Sequence, residues 1–233
     1  MNVAVCVSGL TRSVSYAWPL IERYLVRPFK SSIFIHTWDI DHGGERFKCH
    51  MKGITPAPSF TDGRSKKDFI EQEIGPKKYI IEEYAVFAVH NPLVVSAMYY
   101  SIYKSNELRK AYEKETDIKY DLIIRSRMDA FYETFMNENE INDVLVNNDV
   151  IYGNAPGADP DPRWISDAFA FSGDKAMQIY ANTWCDQVMR GGPGELILQD
   201  QLYGQGLKFK WSKIHYKLTE EWSSSTVKVR GNF

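Results

Sequence analysis

The residues best equipped for chemistry lie in one stretch, Tyr120–Tyr132 (YDLIIRSRMDAFY). Leu122, Ile123 and Ile124 make an unbroken apolar run, the pattern of a strand buried on both faces. Arg125, Arg127 and Asp129 follow on alternate positions, and side chains two apart on an extended chain share a face. Two guanidiniums and a carboxylate at the carboxyl end of a buried strand stand where an open α/β sheet places its ligand. Their chemistry suits the phosphates of an activated substrate, held by the guanidiniums directly or through a divalent metal on Asp129. The bland alternative is an ion pair of Asp129 with Arg125 or Arg127, and Arg125 divides evenly between site and structural pairing.

A second group sits at the start of the chain. Ser8, Gly9 and Arg12 follow the apolar run Val3–Val7, where backbone N–H groups of a strand-to-helix turn can meet a base, ribose or phosphate. Asp39 closes a second short run, SIFIHT, and is placed either to accept hydrogen bonds from ribose or base or to cap a loop or helix. Asp159-Pro160-Asp161 spells a pair of carboxylates, but Asp-Pro in a Pro-rich loop is ordinary turn chemistry, so it is set aside as a metal motif. His36, His42 and His50 match no closed zinc spacing. His215 reads as one position on an alternating strand. A Walker A loop and a G-x-G-x-x-G fingerprint are both absent from the sequence, which disfavours kinases and dinucleotide enzymes.

The elements that must position these residues alternate between strand and helix. Strands are expected at Val3–Val7, Ser32–Thr37, Tyr79–Glu83, Leu122–Ile124, near Asp149–Tyr152, at Asp167–Ser172 and at Lys208–Tyr216. Helices are expected from about Trp18, with Pro19 in the first turn and Pro28 as the stop, and over Lys66–Ile74 with Gly75 closing it. Asn91 and Pro92 should open a long helix whose apolar face carries Val95, Met98, Tyr99, Ile102 and Leu108. Two more helices follow, one capped by Asp174 and one over Glu195–Tyr203. Residues 39–67 and 153–164 lack periodicity and read as long loops. The alternation points to an α/β domain over residues 1–218 and a polar tail over 219–233.

Composition excludes several classes. The chain has 233 residues, 44% hydrophobic and 25% charged, with a net charge of −2; a nucleic-acid partner would call for a basic stripe. The apolar stretch at the N-terminus is too short for a membrane span. Three cysteines without CxxC spacing point to a reducing, cytoplasmic setting and no disulfide framework.

In order and spacing, VCVSGLTRS, IFIHTWD, YDLIIRSRMDAFY, SDAFAFSGDKAM and ELILQDQLYGQGL resemble the small GT-A-type glycosyltransferases of bacterial capsule clusters and large DNA viruses. The resemblance runs from Val3 to about Leu207. It implies a single nucleotide-binding α/β domain with a mostly parallel central sheet flanked by helices, a nucleotide-sugar donor (UDP first among nucleotides), a glycan or glycoconjugate acceptor with the loops 39–67 and 153–164 flanking its side, and a divalent metal, Mn²⁺ or Mg²⁺, bridging the diphosphate. The family's Asp-x-Asp is replaced here by Arg127-Met128-Asp129, so only Asp129 carries over as a metal ligand, and Arg127 can itself neutralise phosphate through bidentate contacts. LQDQLYGQGL looks like the Asp-Gln stretch of glycogenin-like enzymes, which places Asp200 and Gln201 beside the sugar or acceptor. An inverting transfer needs a carboxylate to take the acceptor's proton; Asp200, then Asp167, then Glu195 are the candidates.

The sequence therefore points to sugar transfer from a nucleoside diphosphate. Two other readings stay open: a nucleotidyltransferase or phosphohydrolase using the same Arg/Asp cluster, and a non-catalytic carbohydrate- or nucleotide-binding module.

Overall fold

The computed structural model describes residues 1–40, 63–91, 94–154, 165–186 and 194–218, with Val94, Val95, Asp186, Gly194 and Glu195 described in their backbone alone. Strand β1 (Val3–Gly9) is buried from Val3 to Val7 and on to Ser8, as befits a central strand covered on both faces. Gly9 ends it at φ +123°, a backbone conformation that a residue with a Cβ rarely adopts. Helix α1 (Val14–Ile21) continues to Val26 in a wider winding, with the Arg27 amide donating to the Glu22 carbonyl. It begins at Val14 rather than Trp18, because the Thr11 and Ser13 carbonyls take its first amides. Pro19 therefore lies inside the helix, and the change of winding follows the hydrogen bond that proline cannot make.

Strand β2 (Ser32–Trp38) is followed, beyond residues 41–62, by α2 (Lys66–Phe69, continued to Ile74). Gly75 at φ 60° closes it, as the sequence predicts, and the Ser65 hydroxyl caps its start by accepting the Asp68 amide. Strand β3 (Lys78–Glu82) leads into a short helix that periodicity did not reveal, α3 (Tyr84–His90). Asn91, expected to open the long helix, donates its backbone and side-chain amides to the Phe87 carbonyl and closes α3; Pro92 lies outside the described residues. The long helix α4 (Val94–Thr116) buries Tyr99 and Ile102, with Met98 and Leu108 packed alongside. It delivers the chain to β4 (Leu122–Arg127) and β5 (Ala130–Tyr132).

The acidic stretch after Tyr132 contains helix α5 (Glu138–Val146), capped by Asn137. Strands β6 (Val150–Gly153) and β7 (Phe169–Ser172) precede α6 (Asp174–Ala181), α7 (Thr183–Asp186) and α8 (Gly194–Gly204). Gly173, not Asp174, holds the cap position of α6; the Asp174 carboxylate instead accepts from Arg109 at 2.8 Å and Lys110 at 3.0 Å. The single strand expected over Lys208–Tyr216 is two, β8 (Lys208–Trp211) and β9 (Tyr216–Leu218). The Glu140 carboxylate causes the break by accepting from the Ser212 hydroxyl and the Lys213 amide.

A seven-stranded sheet runs in the order β3-β2-β1-β4-β7-β6-β8, and β5 and β9 form a separate two-stranded sheet. Within the large sheet only β7 runs against its neighbours. One face, carrying Val5, Val7, Ile35 and Ile124, packs on α1, α2 and α5. The other, carrying Ala4, Cys6, Phe34 and Ile123, packs on α4, α6 and α8. The protein is thus an α/β fold with a mostly parallel central sheet flanked by helices. Among the described residues no helix is long and apolar enough to cross a membrane.

The second face carries a buried ionic network. Arg109 is wholly buried and donates to Asn106 at 3.0 Å, Glu113 at 2.7 Å and Asp174 at 2.8 Å, which ties α4 to α6. Beside it, burial raises the Cys6 thiol to a pKa of about 11 against the opposing influence of Arg109. Removing one partner of a buried pair leaves the other charge uncompensated, which costs about 3 kcal/mol or more. Glu113→Gln is expected to lower the urea-unfolding free energy by about 3 kcal/mol; a loss below about 1 kcal/mol would show that the buried Arg109–Glu113 pair contributes no more than a surface ion pair.

Candidate functional site at the carboxyl end of the sheet

The strand order places the candidate site. From β1 the chain moves outward to β2 and β3, then returns to the other side of β1 as β4. The crevice between the carboxyl ends of β1 and β4 is therefore the switch point of the sheet, where open α/β folds bind ligands. Ser8 lies directly beside Arg127 in the β1–β4 register. Both end the face shared by Cys6 and Arg125, and Gly9 turns the chain away above them; a Cβ at Gly9 would meet nothing.

Asp129 is clamped in this crevice. Its Oδ2 accepts from Arg12 Nε at 3.0 Å and Nη2 at 2.8 Å, and from Arg127 Nη2 at 2.8 Å; its Oδ1 accepts from Arg127 Nε at 2.8 Å. The Arg127 contact is a fork-to-fork pair. All three side chains are largely buried: Arg12 is 4% exposed and Asp129 3%, and the Arg127 side chain 18%. Burial alone would raise the Asp129 carboxyl, but the charges of Arg127 and Arg12 and their hydrogen bonds outweigh it and hold it well below the usual carboxylate range.

This differs from the alternating triad expected on β4. The strand ends at Arg127 and a turn precedes Asp129, so the partner pair is Arg12 and Arg127, not Arg125 and Arg127. Arg125 points Nη1 at the adjacent Ser126 carbonyl and is 1% exposed. An alternation rule for extended chain cannot see a partner that arrives from another strand's turn.

The expected metal can be tested against this donor set. A carboxylate has about four lone-pair sites, and the guanidiniums use most of them, leaving room at Oδ1 alone. Among the described residues no three His, Cys, Asp or Glu side chains gather as a cation site. The donors present fit a paired-guanidinium anion site better than a protein-held metal.

The remaining candidates divide. Asp167 stands just ahead of β7, next to the end of β4, where the Arg127 amide donates to the Ala168 carbonyl at 3.1 Å. It is 9% exposed and its Oδ2 has no hydrogen-bond partner. Asp200 is exposed on α8, while Gln201 is buried and donates to the Ile179 carbonyl of α6 at 3.4 Å. The Glu195 side chain, Asp159, Asp161, His42 and His50 lie outside the described residues. Asp39 does the work of a cap: its Oδ1 accepts the Tyr84 amide at 2.9 Å at the start of α3. His215 is exposed before β9.

Other polar groups of the second face were not singled out by sequence. His36, opposite Ser8 in the β1–β2 register, is wholly buried, and neither its ring nitrogens nor the Ser8 Oγ has a hydrogen-bond partner. Burial lowers the pKa of His36 against the opposing influence of the Glu82 carboxylate, which lies 3.7 Å from Nε2. Trp38, Phe87, Tyr100 and Trp184 enclose this corner with mutual ring contacts. Tyr180 of α6 is buried with an unpartnered hydroxyl; its place at helical spacing from Ala176 and Met177 was the available signal. No family model matches the chain, and no curated protein matches it.

Asp129→Asn would remove the carboxylate that Arg12 and Arg127 share. The folded carboxyl titrates below its unfolded value of about 3.9, so its contribution is complete above that pH and is lost as pH falls below it. Wild type is expected to exceed Asp129→Asn by about 3 kcal/mol at pH 7, with the difference shrinking below about pH 4. Urea unfolding across pH 2.5–7 reads both quantities, and a difference that does not change with pH would count against the clamp.

Proposed function

We propose that this chain is a GT-A-type glycosyltransferase that moves a sugar from a nucleoside diphosphate donor, UDP first among nucleotides, to a glycan or glycoconjugate acceptor. The observation that carries the reading is the Arg12–Asp129–Arg127 clamp in the β1–β4 crevice. Asp129 sets the two guanidiniums in fixed positions at the strand ends, and planar guanidiniums held in this way are suited to phosphate oxygens. The mostly parallel sheet and the strand-to-turn passage at Gly9 agree with the sequence resemblance.

In the transfer, the acceptor oxygen attacks the anomeric carbon as the bond from that carbon to the phosphate oxygen breaks. The electron pair leaves with the nucleoside diphosphate. Arg12 and Arg127 would stabilise that developing charge from preset positions. The acceptor's proton passes to a carboxylate in an inverting reaction, and Asp167 is the candidate that stands beside the end of β4. Asp200, ranked first by sequence, is exposed on α8.

Metal assistance through Asp129 is the second reading, favoured by the lone-pair room at Oδ1. Calorimetric titration of UDP, with GDP as comparison, separates the two. Under the guanidinium reading UDP binds alike in Mn²⁺ and in EDTA, and Arg127→Gln weakens it by about tenfold or more. Under the metal reading binding disappears in EDTA and in Asp129→Ala. Failure of both nucleotides to bind would overturn the transferase proposal.

A further inference from the structure

Arg125 is the buried charge that the clamp leaves over. It is 1% exposed on the second face of the sheet. Its Nη1 donates to the Ser126 carbonyl, its Nε has no partner, and among the described residues no carboxylate stands at ion-pair distance. The other buried guanidiniums are met: Arg109 by Glu113 and Asp174, Arg12 and Arg127 by Asp129. An uncompensated guanidinium out of water is strongly unfavourable unless a ligand brings the anion.

Two more unpartnered groups converge on it. The Tyr180 hydroxyl of α6 is wholly buried, has no partner at full hydrogen-bond geometry, and lies within reach of the Arg125 guanidinium and the Asp167 charge. The Asp167 Oδ2 is also unpartnered. The topology brings them together: β7 pairs antiparallel with β4, Arg125 lies opposite Ala170, and α6 follows β7 directly.

We infer that Arg125 and Tyr180 form a subsite for a carboxylate on the transferred sugar, so that the donor is a nucleoside diphosphate hexuronate rather than a neutral hexose. This rests on the nucleotide-sugar reading above. The phosphates fall to Arg12 and Arg127 at the strand end. Arg125 lies two residues back along β4, about 7 Å deeper at the rise of an extended chain, where the sugar ring would extend. A carboxylate accepts from guanidinium Nε–H and phenol O–H together. The neighbouring Asp167 repels a second carboxylate and accepts hydroxyls, so it orients the sugar with its acid group toward Arg125 and leaves the Asp167 side to the acceptor hydroxyl. A neutral hexose would leave Arg125 unmatched, and sites built for a polar group discriminate strongly against ligands lacking it.

The test is a set of dissociation constants for UDP, UDP-glucose, UDP-galactose, UDP-glucuronate and UDP-galacturonate on the full chain, wild type, Arg125→Gln and Tyr180→Phe. Each sugar pair differs only at C6. Wild type should bind the hexuronates about tenfold or more tighter than the matching hexoses. That ratio should fall to about one in Arg125→Gln and several-fold in Tyr180→Phe, a substitution that keeps the ring and its packing, with UDP itself nearly unaffected. Equal affinity for hexose and hexuronate in wild type that binds UDP overturns the subsite and leaves the transferase reading standing. A hexuronate preference that survives both substitutions overturns the assignment to these residues. If Arg125→Gln weakens UDP as much as UDP-glucuronate, the anion is a phosphate and the carboxylate inference fails. Absence of UDP binding removes both proposals.

Discussion

Two guanidiniums cannot be drawn out of water side by side without an anion between them, and Asp129 is that anion. Arg12 arrives on the turn after β1 and Arg127 ends β4, so their common carboxylate locks the mouths of the two central strands to each other. The geometry is expensive to build, because each charge loses hydration on burial. It is tolerated because the contacts are short, multiple and charge-assisted. What results is a pair of donors whose orientation is set before any ligand arrives, which is the preorganisation an anion site needs.

The two faces of the sheet differ in kind. Against α1, α2 and α5 the buried side chains are mainly aliphatic and aromatic, with Thr37, Ser126 and Glu140 hydrogen-bonded among them, and hydrophobic burial of about 1.5–3 kcal/mol per large side chain accounts for most of the packing. Against α4, α6 and α8 the apolar cluster is interrupted by Arg109, Glu113, Arg125, His36 and Ser8, all buried. Part of that polarity is structural: the Arg109 network satisfies itself and joins α4 to α6. Nearer the carboxyl ends of the strands, the Ser8 hydroxyl, the His36 ring nitrogens and the Arg125 Nε have no hydrogen-bond partner, whereas folded proteins pair nearly all their buried polar atoms.

The same contrast separates residues that look alike in sequence. Asp39 and Asp129 each stand just beyond a strand, yet Asp39 caps α3 through the Tyr84 amide and Asp129 joins two cations. Asp200 and Gln201 are adjacent on α8, and helical geometry sends one outward and buries the other. In each pair the local residue type is suited to function, and the surroundings decide whether it is available.

By itself the sequence determined the alternation of strands and helices, the buried character of β1 and β4, the closure of α2 at Gly75 and the α/β class, because these follow from apolar periodicity and from turn chemistry acting over a few residues. It also marked Arg127 and Asp129 as neighbours at a strand end. Only the tertiary structure decided that Arg12 is their third member, that Arg125 is left without an anion, that Tyr180 and Asp167 come to its side, and that the last expected strand divides between two sheets. These depend on strand order and on partners more than a hundred residues apart, as in the Arg12–Asp129 pair separated by 117 positions. Spacing along a chain carries no record of such meetings; they arise when the sheet assembles and each buried charge must find its complement.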